Sequence, residues 1–299
     1  MNEKINNAID LGKYSSMRTG GSTDSFHLPL NLKEFESLCS YFKAKAVIGN
    51  GTNTIFADRM TGIPIICTRA MRGIHFEGHE MTVEAGASLV KAIGLCCSHG
   101  LKGLEDLGGI PGTIGAAIWG NCGIESRTIA SHLATVTFLD KDSRIRTASK
   151  KDLSFSYRSS TFKEEGLVVL SAAFILEKDP DPKSTLERIE EARQRRRIMG
   201  QYELPSCGSF FKNPVEKPAW KLIDEAGMAG MGIGGALVHP RLTNFICNIN
   251  DGTCTTADIV DLARLIQWKV YNRTRILLEP EVQAVGFDDY PFYRKYDFA

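Results

Sequence analysis

Residues 108–117 read GGIPGTIGAA: four glycines, a proline and a threonine within ten residues, ending in Ala116-Ala117. Backbone without side chains can lie directly against a flat or charged ligand, where a Cβ would obstruct contact. A tightly packed helix start also calls for small residues. That alternative accounts for the alanines but not for the length of the glycine run.

The rest of the chain frames that stretch. At 299 residues it exceeds a usual single domain, so two or three separate cores are expected. A composition 43% hydrophobic and 24% charged is that of an ordinary globular protein, and a net charge of +1 supplies no overall field for nucleic acid or an anionic membrane. Neither is expected as a partner. The eight cysteines include no C-x-x-C pair and the six histidines share no ligand spacing, so no metal is implied. No apolar run reaches the roughly 18 residues of a membrane span, and the polar start MNEKINN lacks the apolar stretch of a signal peptide. The cytoplasm is the expected location.

Pattern and punctuation place the elements. Val47-Ile48 and Ile63–Cys67 read as short strands joined through GNGTNTIFAD, a cluster typical of tight loops. GIHFE and EMTVEA bracket Gly78 as a hairpin, and SLVKAIGLCCSHG is a helix capped by Ser88 and stopped at Gly100. LATVTFLD, RIRTAS and LVVLSAAFIL read as strands. EKDPDPK is the best linker, placing the main boundary near 180–185, and Ser184 with Glu187 predicts a capping box for a helix through Arg197. PAWKLIDEAG and TTADIVDLARLIQWKVYNR follow as helices, with LLEPEVQAVG as a last strand.

Four motifs invite chemical readings. VIGNGTNTIF puts the N–H groups of Gly49 to Asn53 where they could form an anion nest, but Thr54 replaces the third glycine of a dinucleotide fingerprint, and a plain hairpin turn is favoured from this stretch alone. GMGIGG, residues 230–235, matches G-x-G-x-x-G literally but follows a helix-like segment, so it reads as a loop. RQRRR, residues 193–197, could clamp a diphosphate, although basic residues also suit the last turn of a helix. LPSCGSFFKNP, residues 204–214, offers Cys207 and Ser209. Cys207 and Phe211 stand where a serine elbow needs glycines, so a hydrolase is unsupported, and Cys207 reads as filler.

Taken in order, RTGGSTDSFHLP, VIGNGTNTIFAD, GLEDLGGIPGTIGAAIWGNCG, FSYRSSTFK, LPSCGSFFKNP, LIDEAGMAGMGIGGALVHPRLTNFICN and LLEPEVQAVG resemble the UDP-N-acetylenolpyruvoylglucosamine reductases, also called UDP-N-acetylmuramate dehydrogenases. The short stretch after YRSSTFK resembles the family branch lacking an extra tyrosine-bearing loop. The resemblance implies an α+β chain: a two-part FAD-binding fold of the vanillyl-alcohol oxidase (PCMH) type, residues 1–73 and 74–182, then an α+β UDP-sugar domain, 183–299. It implies non-covalent FAD, held by Gly49, Asn50, Gly51, Thr52 and Asn53 and by Gly109, Ile110, Pro111, Gly112, Thr113 and Gly115, with NADPH as co-substrate.

The implied reaction reduces the enolpyruvyl ether of UDP-N-acetylglucosamine to UDP-N-acetylmuramate, with hydride passing from reduced flavin N5 to C3. The resemblance puts the catalytic residues on Arg158, Ser209 and Glu281. An arginine fork suits the enolate-like carboxylate, a protonated Glu281 would donate a hydrogen bond beside it, and Ser209 would protonate the carbanion at C2. Asn213 and one of Arg196 or Arg197, taken as Arg197, are implied as diphosphate contacts, and Gly208 is expected to make room beside flavin and substrate. Cys207, Cys122 and the stretch VHPRLTNF depart from the usual family pattern. The competing readings are another FAD oxidoreductase of the same fold and a non-catalytic nucleotide-sugar binder.

Overall fold

The computed structural model describes residues 8–43, 45–59, 62–124, 127–294 and 297. Its helices are α1 (Leu32–Tyr41), α2 (Leu89–Ser98), α3 (Ile114–Trp119), α4 (Thr161–Glu165), α5 (Pro182–Ile198), α6 (Ala219–Glu225) and α7 (Thr256–Thr274). None of the described helices is long and apolar enough to cross a membrane. Contacts divide the chain into two compact units, one of residues 26–50 and 64–195, the other of 1–25, 51–63 and 196–299. Packing thus divides the chain differently from the expected functional boundaries. The last division falls beyond the proline break because Ile189 of α5 is buried in the first unit's core.

That first unit is built on a five-stranded antiparallel sheet, ordered Ile145–Ser149, Leu133–Leu139, Val168–Ile175, Glu80–Glu84, Ile74–Glu77. Side chains alternate across a strand, and here both faces are used. Val136, Val169, Ala172 and Phe174 join α2 and α3 in the larger core, while Leu139 and Leu170 join Phe35, Cys39, Ile66 and Met71 in a smaller one. A three-stranded parallel sheet, Phe26–His27, Ile65–Cys67 and Ala46–Ile48, completes the unit, with α1 as the crossover parallel strands require.

In the other unit, α7 buries Ile259, Leu262, Ala263, Ile266 and Val270, a stripe at helical spacing, among Phe210, Phe211, Leu222, Ile223 and Ile246. Thr255 and Asp258 form a reciprocal capping box at its start. The accompanying four-stranded antiparallel sheet runs Ser206–Ser209, Phe245–Asn248, Ala236–Val238, Gly232–Ile233. GMGIGG therefore forms part of a hairpin, with Gly234 at φ +52°.

Two local expectations are corrected. GNGTNTIFAD is not a hairpin turn: Thr54–Phe56 is a strand that pairs in parallel with Gln283–Val285, drawn inward by fully buried Ile55 and Phe56. At α5, Asp181 rather than Ser184 takes the capping role. Its Oδ1 accepts from the Ser184 N–H at 3.2 Å, and Pro182 opens the helix at the position where a missing N–H costs nothing.

Candidate active site

The glycine-rich stretch meets residues 85–89 through main chain. Leu89 N–H donates to Gly112 O at 3.1 Å, Ile114 N–H to Ala87 O at 2.9 Å, and Gly115 N–H to Ala85 O at 2.8 Å. Side chains have no room there. A Cβ on Gly115 would lie 2.7 Å from the Cβ of Ala85, one on Gly86 would lie 1.8 Å from Thr68 O, and one on Gly49 would lie 2.3 Å from Thr113 Oγ1. Close packing therefore accounts for Gly49 and Gly115. It also accounts for Gly108, set against Ile189, with its carbonyl accepting from Arg193 Nε at 3.1 Å.

Beside this main-chain floor is a cavity of about 240 Å³. Of the residues expected to hold a cofactor, Asn50, Gly112 and Thr113 line it. Ile110 instead packs against the apolar core. Thr113 is buried, and its Oγ1 has no hydrogen-bond partner among the described atoms. Gly51, Thr52 and Asn53 belong to the other unit, where Gly51 takes φ +62° and Asn53 Nδ2 donates to Glu281 O at 3.1 Å. Sequence reading missed three cations lining the cavity: Arg69, Arg72 and Lys91. Arg69 Nε donates to Asn50 Oδ1 at 2.5 Å. One signal was present. Lys91 sits in the first turn of α2, where the helix dipole disfavours a cation.

Ser209 and Glu281 are brought close along neighbouring chain. Glu281 N–H donates to Phe210 O at 2.8 Å, Lys212 N–H donates to Glu279 O at 2.8 Å, and Phe211 bridges Pro280 between them. The strand register shifts between Ser206 and Ser209, where Gly208 takes φ +74°. This irregularity leaves Cys207 and Phe210 buried and Ser209 exposed. At Gly208 the conformation favours glycine, and a Cβ there would meet no protein atom within 4 Å. Burial pushes the Cys207 thiol up to about 11, which keeps it neutral and unfit as a nucleophile.

The surrounding polar groups are largely committed to this strand. Asn244 Oδ1 accepts from Phe211 N–H at 3.0 Å and its Nδ2 donates to Phe211 O at 2.8 Å. Buried His239 accepts from the N–H groups of Arg241 and Leu242 at 3.1 and 3.0 Å, and burial lowers its pKa. The atypical stretch 238–244 is thus held by internal bonds. Lys212 pairs with Glu279. Asn213 Oδ1 accepts from Ala219 N–H at 3.0 Å, opening α6 where Pro218 offers no side-chain cap. Arg197 is exposed on the last turn of α5.

In the other unit, Arg158 occupies the turn of a hairpin between Phe155–Ser156 and Ser159–Ser160, at φ +55°. A non-glycine residue there stores about 1–3 kcal/mol of strain and needs its surroundings to hold it. They do so from the end of α3. Asn121 Nδ2 donates to Ser156 O at 2.8 Å, Ser160 Oγ to Trp119 O at 2.7 Å, and Arg158 Nη1 to Gly123 O at 3.2 Å. Lys163 Nζ donates to the Arg158 carbonyl at 3.1 Å while lying 5.1 Å from the Trp119 ring centroid.

The profile of the UDP-N-acetylenolpyruvoylglucosamine reductase C-terminal domain matches residues 200–285. A UDP-N-acetylenolpyruvoylglucosamine reductase of Prochlorococcus marinus is 36% identical over 290 residues, 95% of this chain and 97% of that protein. One from Limosilactobacillus fermentum is 36% identical, covering 92% of each chain. The crystal structure of the Thermus caldophilus UDP-N-acetylenolpyruvylglucosamine reductase superimposes with a TM-score of 0.80 at 27% identity, over 93% of this chain and 98% of that one. The α+β architecture is therefore the fold of that enzyme, and this chain belongs to the UDP-N-acetylenolpyruvoylglucosamine reductase family.

Proposed function

We infer that this chain catalyses the NADPH-dependent, FAD-mediated reduction of UDP-N-acetylglucosamine enolpyruvate to UDP-N-acetylmuramate, a step of peptidoglycan precursor synthesis in the cytoplasm. The observation that carries this reading is the exposed Ser209 hydroxyl beside Phe210, whose carbonyl holds the N–H of Glu281 at 2.8 Å. It gains its meaning from family membership along nearly the whole chain.

The residues fit a flavin dinucleotide. The packed main chain at Gly112–Gly115, the cavity beside it and the unpartnered Thr113 Oγ1 offer a close approach and a waiting hydrogen-bonding group. Gly49–Asn53 and Gly109–Gly115 are the proposed holding segments. When bound, FAD supplies hydride transfer from NADPH to the vinyl carbon C3 of the substrate.

The protein's own part is electrostatic and protic. Arg158 presents a planar fork to the substrate carboxylate, where negative charge grows in the transition state. Glu281 in its protonated form donates a hydrogen bond to the same region. Ser209 gives its proton to C2, a transfer made feasible by an acceptor far more basic than a carboxylate. Asn213 and Arg197 are assigned to the diphosphate, residues 1–73 and 74–182 to the flavin, and 183–299 to the UDP-sugar.

The test is direct. The purified chain is expected to carry flavin absorbance and to oxidise NADPH rapidly only when the enolpyruvyl sugar is added. A flavin-free protein, or oxidation indifferent to that sugar, would overturn the reading.

A further inference from the structure

The cavity beside the glycine-rich stretch has a charge that main-chain packing does not require. Arg69, Arg72 and Lys91 line it, and no lining residue is acidic. Lys91 occupies the third position of α2, after its cap Ser88, where the partial positive charge of the helix end opposes a cation. Local helix stability therefore gives no reason for a lysine there. Arg72 is exposed at the same rim, while Arg69 is anchored through Asn50. Buried Thr113 contributes a hydroxyl oxygen without a partner. An anion would satisfy all of these at once: the hydroxyl by a hydrogen bond, and the cations and the positive end of α2 by charge.

We propose that Arg72 and Lys91 bind the diphosphate of FAD in this cavity, so that cofactor affinity in this chain depends on two side-chain charges outside the glycine loops. The inference rests on the flavin reading above and adds to it which residues retain the cofactor. The cations act through screened, rim-level attraction, so their contribution falls as salt rises.

The full chain, stripped of flavin, is titrated with FAD and with riboflavin by flavin fluorescence, at low and high salt. The pair Arg72→Gln and Lys91→Gln is expected to weaken FAD about tenfold or more at low salt, to leave riboflavin binding unchanged and to flatten the salt dependence. The charge-keeping pair Arg72→Lys and Lys91→Arg retains most of the FAD affinity. FAD binding indifferent to the glutamine pair, or equal losses for FAD and riboflavin, would overturn the proposal while leaving the flavin reading intact. Weakened NADPH binding in the FAD-loaded variant, with FAD affinity intact, would also overturn it, placing the cations on the other dinucleotide. Failure of the unaltered chain to bind any flavin would overturn both.

Discussion

The N–H of Glu281 is bonded to the carbonyl of Phe210 at 2.8 Å, so a proton-donor candidate and an acid candidate are set by one main-chain hydrogen bond. If Ser209 delivers the proton to C2, its removal acts on one half of the reaction only. Ser209→Ala is expected to leave flavin reduction by NADPH near normal and to slow flavin reoxidation by substrate about 10²- to 10⁴-fold. Stopped-flow absorbance separates the two halves. Equal slowing of both would remove Ser209 from the proton-donor role.

Gly208 tests whether backbone conformation alone aims that serine. Its Cβ position is open, but φ +74° disfavours any L side chain by about 1–2 kcal/mol. Gly208→Ala should lower stability by that amount in denaturant titration and reduce turnover with flavin content unchanged. Gly208→Asn should be milder on stability, because asparagine tolerates the left-handed region better.

Asn244 holds both polar groups of the Phe211 peptide in buried surroundings. Asn244→Ala leaves a buried donor and acceptor unmade, a cost of about 1–3 kcal/mol. The expected result is a lower melting temperature together with a lower kcat, since the same strand carries Ser209. A variant that melts lower yet turns over normally would separate Asn244 from the site.

His239 gives a pH dependence of known sign. Burial lowers its folded pKa, outweighing Glu203 at 3.7 Å from Nε2, and Nδ1 already accepts two N–H groups. Below about pH 6.5, the ordinary histidine value, the unfolded chain therefore binds the extra proton more readily than the folded one. Stability contributed by neutral His239 is present above that pH and is lost on acidification. His239→Gln should flatten the slope of unfolding free energy between pH 7 and 5, and an unchanged slope would assign the acid sensitivity elsewhere.

Much of this was legible because local signals agreed with the final packing. The α7 stripe, the Gly78 hairpin and the strands around Lys141–Ser143 each carry periodicity and turn residues within one short stretch. Thr54–Phe56 looks like loop in the sequence because three residues carry little pattern, and its partner Gln283–Val285 lies far along the chain. Asn244 and the cavity cations were missed for a related reason. An asparagine that pins a distant phenylalanine, or lysine and arginine drawn from separate segments, leaves no spacing rule in the sequence. In the glycine run, Gly108 and Gly115 are packing residues, while Gly112 lines the cavity.

Arg158 takes the positive φ that a two-residue hairpin turn calls for, a conformation that costs a residue other than glycine. The bonds that hold it come from Trp119, Asn121 and Gly123 at the end of α3 and from Lys163. If the turn closes only once those neighbours are in place, it is a late event in folding, and its amides are expected to be among the first in that unit to exchange with solvent deuterium.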